Sequence, residues 1–256
     1  MIITYRLLEI LFLCIIASSI LSGCITPVNT ISIDGKPDEW NDIPIFIQDD
    51  RGDVINQIIT LGETTKELYE FDIISIKCSH DTIFLYMLIE LADDVSEYFN
   101  HNQEYARSIA EFYFDLDNNQ STGGPAHGEL FKGFESRFNI YSGVWDKTTG
   151  YAVSGRMNLS TSENTELGFF IEYYTSKYNE DIKEFPQNTT KIIHSYDHPE
   201  LLTYNEQYIE LKLPLQELSL VIPSQPIRMV FHERGSGLGV EAITEHTNVI
   251  IPEIKE

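Results

Sequence analysis

The chain has 256 residues, with 17 Lys+Arg against 40 Asp+Glu and a formal charge of −23, which excludes a nucleic-acid binder because phosphate contacts need clustered cations. Three cysteines exclude both a disulfide-stapled scaffold and a four-thiolate zinc site. The 42 % hydrophobic content, with 14 Tyr and 14 Phe, is ample for a packed core and excludes wholesale disorder.

Residues 1–23 read as a secretory signal. Arg6 supplies a positive charge, and an apolar run from Ile10 to Leu21 follows, broken by Ser18 and Ser19. The run is too short for a membrane span, which takes about 20 apolar residues, and fits a signal h-region. It ends in Leu21-Ser22-Gly23-Cys24, which resembles the lipobox of prokaryotic lipoproteins. Small residues suit a peptidase cleft, and the Cys24 thiol is the atom that takes a diacylglyceryl thioether. The expectation is cleavage before Cys24, a tether over residues 24–30, and anchoring on the extracellular face of the cell membrane. Cys14 leaves with the signal and Cys24 is lipidated. Cys78 is then left without a disulfide partner and reads as a buried small hydrophobe.

Residues 31–256 read as one domain with few helical periods and many short alternating runs. The segment 71–79 (FDIISIKCS) turns at His80-Asp81 into 82–91 (TIFLYMLIEL), a predicted antiparallel hairpin. Residues 93–106 have room for a short helix. Strands are predicted at 108–116 and 133–141. A hairpin is predicted over 143–154, with Thr149-Gly150 at its tip. Further strands are predicted at 167–174, 190–196, 207–213 and 226–232, with short peripheral ones at 31–34 and 44–48. One helical turn is expected at 215–218. About ten strands separated by Gly, Asn, Asp and Pro predict an all-β fold. It is an antiparallel β-sandwich of jelly-roll or immunoglobulin-like type, with little helix.

Four phrases come in a familiar order. Ile33-Asp34-Gly35-Lys36-Pro37-Asp38-Glu39-Trp40 opens the domain. Asp81-Thr82-Ile83-Phe84-Leu85-Tyr86 lies in the hairpin. Phe114-Asp115-Leu116-Asp117-Asn118-Asn119 precedes Ser121-Thr122-Gly123. Tyr208-Ile209-Glu210-Leu211-Lys212-Leu213-Pro214 comes late. The series resembles the family 9 carbohydrate-binding modules and their DOMON-like relatives over roughly Ile31 to Ile250. The resemblance implies an antiparallel β-sandwich, often calcium-stabilised, often extracellular and sometimes sugar-binding. Fold does not transfer function by itself.

Asp115, Asp117 and Asn119 place oxygens at alternating positions around a turn, where a hard cation such as calcium gathers six to eight oxygens at about 2.3–2.6 Å. Gln120 and Ala126 stand where an EF-hand needs Gly and Glu, so the turn is not an EF-hand. Glu135 is a further candidate ligand, at a place where the relatives often carry an acid. The competing reading is a solvated acidic turn closed by Asx hydrogen bonds. Asp50, Asp53 and Asp72 form a second candidate group, with plain surface charge as the alternative. Trp40 is expected to pack on the sandwich. Trp145 is a candidate stacking platform for a sugar, with strand-face packing as its alternative.

No G-x-S-x-G, H-E-x-x-H, Walker or dinucleotide motif occurs, so the chain reads as a non-enzyme. His194 and His198 read as surface residues. Sequons start at Asn119, Asn158 and Asn188, and a glycan on Asn119 excludes its use as a cation ligand. The leading expectation is a lipid-anchored binding module for a polysaccharide, glycan or other extracellular ligand. One alternative is an envelope interaction lipoprotein without a small ligand. Another is a haem-binding electron-transfer domain, for which Met87, Met157 and Met229 are the methionines to consider.

Overall fold

The computed structural model describes residues 31–251, except for 53–56, 62–63, 82, 103–106, 116–118, 127–130, 150–163, 175–178, 180, 182–189, 217–226 and 234–248. Cys24, Asp53, Asp117, Met157, Asn158 and Asn188 therefore lie outside the described residues. The structure is an all-β sandwich built from antiparallel sheets. In chain order the strands are β1 (Ile45–Gln48), β2 (Gln57–Leu61), β3 (Thr64–Leu68), β4 (Ile73–His80), β5 (Phe84–Leu91), β6 (Arg107–Asp115), β7 (Gly124–Ala126) and β8 (Phe131–Phe134). They continue with β9 (Ser136–Asp146), β10 (Thr165–Tyr174), β11 (Thr190–His194), β12 (Leu202–Asn205), β13 (Tyr208–Pro214), β14 (Ile227–Glu233) and β15 (Val249–Ile251). Among the described residues there is one α-helix, α1, spanning Val95–Asn102.

A five-stranded sheet runs β1-β4-β5-β13-β12 and a six-stranded sheet runs β11-β10-β9-β6-β14-β15. The hairpins β2-β3 and β7-β8 stand apart as small sheets. Strand alternation explains the core. Leu85, Met87, Ile89 and Leu91 of β5 and Ile209, Leu211 and Leu213 of β13 point inward. They meet Phe112 and Phe114 of β6, Phe138 and Ile140 of β9, and Phe169, Ile171 and Tyr173 of β10. Each fully buried Phe or Leu side chain contributes roughly 1.5–3 kcal/mol, which makes this layer the dominant stabilising term. Cys78, Met87 and Met229 are wholly buried in it.

Helix α1 caps one end of the core with Val95, Tyr98 and Phe99. Tyr98 stacks on Phe71 with centroids 4.2 Å apart, and Phe99 meets Phe169 at 5.1 Å. The outer face of the five-stranded sheet is covered as well. Residues 31–43, including a single 3₁₀ turn Asp38–Trp40, lie over Tyr86 and Leu88. Residues 31–34 are thus irregular cover and not a strand.

Two other expectations change. The hairpin turn after β4 is longer than His80-Asp81, because the Asp81 carboxylate reorganises it. Oδ1 accepts the backbone N–H groups of Ile83 and Phe84, both at 2.6 Å, and Oδ2 accepts the Tyr86 hydroxyl at 2.7 Å. The predicted break near Gly143 is also absent. Strand β9 runs through it, since Gly143 pairs with Gly168 and two facing glycines leave the ladder intact. Residues 143–146 of β9 pair with β10 (Asp146 opposite Thr165), and the second arm of the predicted hairpin, residues 151–154, lies outside the described residues.

Candidate functional site

The first candidate cation site folds into a braced turn. Asp115 ends β6 fully buried, and the almost buried Glu135 stands just before β9. Both carboxylates reach the same loop. The Asn119 N–H donates to Asp115 Oδ1 at 3.0 Å, and the Thr122 hydroxyl donates to Glu135 Oε1 at 3.4 Å. Gly123 has φ +72°, and a Cβ there would sit 2.6 Å from Glu135 Oε1 and from the Phe134 carbonyl, so only glycine fits. Asn119 Oδ1 faces its own turn, accepting the Ser121 N–H at 3.1 Å and the Ser121 hydroxyl at 2.6 Å. Among the described residues, no group of three or more His, Cys, Asp or Glu side chains is arranged to hold a metal ion. The described part of the loop is thus an Asx-closed turn held by two acids.

In the second group, the Asp72 carboxylate meets the acidic loop: its Oδ2 accepts the Gly52 N–H at 2.7 Å. Asp50 is exposed, and its N–H donates to Asp49 Oδ1 at 2.8 Å. The structure brings together the loop and Asp72, and leaves the Asp50 side chain at the surface.

Trp145 is only 4 % exposed. Its ring stands edge-on to Phe170 at 3.9 Å and to His194 at 4.8 Å. It is a packing residue on the strand face, and its indole offers no open face for stacking. His194 is 7 % exposed and not at the surface, because β11 lays it against Trp145, Phe170 and Tyr196. Burial holds its imidazole below the usual histidine value, against the opposing pull of Asp197. His198 is exposed, as expected, and lies 3.2 Å from Glu200.

A different set of residues forms a hydrogen-bonded polar region. It lies on the face of the six-stranded sheet that points away from the core. Glu111 of β6, Asn139 of β9 and Glu172 of β10 are opposite one another in register. Tyr141 of β9 stacks on its cross-strand partner Phe170, with centroids 4.6 Å apart and planes 10° apart. The Asn139 amide Nδ2 donates to Tyr141 Oη at 3.1 Å, and Tyr141 Oη donates to Glu172 Oε2 at 3.0 Å. On β6 the Tyr113 hydroxyl donates to Glu111 Oε2 at 2.8 Å. Burial, followed by the Glu172 charge, pushes the Tyr141 phenol up to about 12. Glu172 and Tyr141 are half-buried, so the region opens to solvent at that point.

Sequence reasoning passed over this set because a polar residue between two aromatic core residues is what any half-solvated strand shows. The usable signal was the run Arg137–Tyr141, in which Phe138 and Ile140 turn inward and their neighbours outward. Only the register of three strands places the outward residues side by side.

Fold and site together define a β-sandwich with a polar, aromatic-edged sheet face. No family model, curated protein or solved structure matches the chain.

Proposed function

We propose that the chain is a lipid-anchored binding module on the extracellular face of the cell membrane. It takes a carbohydrate or similar hydroxyl- and amine-bearing ligand on the outward face of the six-stranded sheet. The observation that carries the reading is the stacked Tyr141–Phe170 pair beside the hydrogen-bonded Asn139, Tyr141 and Glu172. Tyr141, the half-buried member of that stack, is the ring for the C–H face of a sugar, and fixed polar groups beside it orient hydroxyls. The lipobox ending in Cys24 supports the location. The order of the four motifs supports the kinship with family 9 carbohydrate-binding modules, as does the hydrogen bond from Trp40 in the first phrase to Glu210 in the last.

Calcium belongs to the proposal through Asp115 and Glu135, the two acids of the described set that reach one turn. A bound ion would stabilise by binding only the native state. Chelation is then expected to lower the melting temperature, and Asp115→Ala to abolish the effect. A melting temperature indifferent to chelator removes calcium from the reading.

The full chain, purified from membranes in detergent, tests the whole. On a glycan array it should bind at least one polysaccharide, and Tyr141→Ala should abolish the signal. Absence of any binding sinks the carbohydrate reading. Cys24→Ser should release the protein from the membrane fraction. The burial of Trp145 favours a second reading, an envelope lipoprotein that packs against other proteins without a small ligand.

A further inference from the structure

The row Glu111, Asn139 and Glu172 has a defect that points to a ligand. Its members project away from the core, because Phe112, Phe138, Ile140, Ile171 and Tyr173 beside them in the strands are core residues. The hydrogen-bond chain through the row has a fixed direction. A carboxylate only accepts, so Tyr141 gives its one hydrogen to Glu172 at 3.0 Å. The Tyr141 oxygen is then left to accept, and it does so from Asn139 Nδ2 at 3.1 Å. This settles which way the Asn139 amide lies and turns Oδ1 away from Tyr141. Oδ1 is buried without a hydrogen-bond partner, in a residue only 4 % exposed. Arg137, two residues back on the same face, makes no hydrogen bond to it and is engaged with Tyr113. Buried acceptors are normally paired. Among the described residues, none donates to Asn139 Oδ1.

We propose that the row is a binding site for a protonated primary amine, as carried by an amino sugar or a polyamine. This rests on the reading of the same face as the ligand-binding surface. An ammonium group brings three N–H donors and a positive charge, which match an unpaired amide oxygen flanked in register by two glutamates. An ammonium nitrogen holds its acceptors at about 2.8 Å and strands lie about 4.8 Å apart, so one nitrogen takes Asn139 Oδ1 together with the carboxylate of one neighbouring strand. Tyr141, half-buried and stacked on the buried Phe170 at 4.6 Å, supplies ring surface for the hydrocarbon next to that nitrogen, where a cation also gains from a ring face. The chain's charge of −23 favours the approach of cations over anions.

The test is calorimetric titration of the full chain at low salt. The probes are a glucosamine tetramer, its fully N-acetylated counterpart, and spermine. Wild type should bind the glucosamine tetramer at least about tenfold more tightly than the acetylated one, a difference worth one charge-assisted hydrogen bond. Glu172→Gln keeps an acceptor for Tyr141 but removes the charge, and should weaken amine binding by about tenfold or more. Asn139→Leu, checked for an unchanged circular dichroism spectrum, should abolish it. Binding of the tetramer without spermine assigns the site to amino sugars, and of spermine alone to polyamines. Binding of both assigns it to the amine itself. If wild type binds neither amine, or Glu172→Gln binds as wild type does, the inference is overturned and a buried water satisfies Oδ1. If the acetylated tetramer then binds in a Tyr141-dependent manner, the carbohydrate reading survives alone. If no probe binds, both fall.

Discussion

Trp40 and Glu210 lie 170 positions apart, yet the Trp40 indole Nε1–H donates to Glu210 Oε1 at 2.7 Å with both residues fully buried. The other carboxylate oxygen accepts the Gly35 N–H at 2.6 Å and the Asp34 N–H at 2.9 Å. One acid of β13 thus holds the opening motif against the outer face of the five-stranded sheet. Lys77 Nζ assists by donating to the Trp40 carbonyl at 2.8 Å.

Replacing Glu210 should therefore be costly. Glu210→Ala leaves three buried or partly buried donors unmet, each worth about 1–3 kcal/mol, and should lower the unfolding free energy by about 3 kcal/mol or more. Trp40→Phe keeps the ring but deletes one donor, so its loss should be smaller, with further loss from imperfect packing. Denaturant titration measures both. Combined, the two changes should cost less than the sum of the singles, because they share one interaction. Full additivity would count against the contact.

Glu210 also sets a pH dependence. Burial raises its carboxyl above the ordinary 4.5, although the Gly35, Trp40 and Asp34 donors oppose the rise. The folded state then holds the proton to a higher pH than the unfolded state does. Stability from this group is full below the unfolded value and is lost as pH rises through the folded one. Glu210→Gln removes that slope, so the stability of wild type relative to Glu210→Gln should fall as pH rises above about 4.5. A difference that grows with pH would reverse the assignment.

Two glycines separate backbone strain from crowding. Gly35 has φ +82° and Gly52 has φ +86°, so alanine is strained at both by roughly 1 kcal/mol. A Cβ on Gly35 would also lie 2.9 Å from the Asn205 Cβ, whereas one on Gly52 meets nothing within 4 Å. Gly35→Ala should destabilise by about 2 kcal/mol or more and Gly52→Ala by about 1. Equal losses would show that the close approach to Asn205 is relieved without cost.

Both tryptophans are buried, Trp40 at 0 % and Trp145 at 4 % exposure. Native fluorescence should be blue-shifted and weakly quenched by iodide or acrylamide, with a red shift and full quenching in denaturant. A strongly quenched native component that disappears in Trp145→Phe would place that indole at the surface.

Burial pushes the Cys78 thiol well above its ordinary value, and the thiolate is the reactive form. Cys24→Ser with Cys14 removed leaves Cys78 as the sole thiol. A disulfide reagent should label it only on unfolding. Rapid labelling of the native chain would contradict its place in the core.

The sequence by itself determined the all-β class, the principal strands and the burial of Cys78 and Trp40. These follow from period-two alternation and turn residues, which are local properties. It also exposed the four motifs, because they are short and ordered. Tertiary structure decided what those motifs are for. That Glu210 receives Trp40, Gly35 and Asp34 depends on residues 31–43 crossing a sheet face, and nothing near either segment encodes the meeting. The same holds for Trp145. An exposed turn and a strand face look alike in sequence, and β9 running through Gly143 opposite Gly168 decided between them. The row of Glu111, Asn139 and Glu172 exists only because three strands pair in one register. A one-residue slip would turn every one of those side chains to the other face.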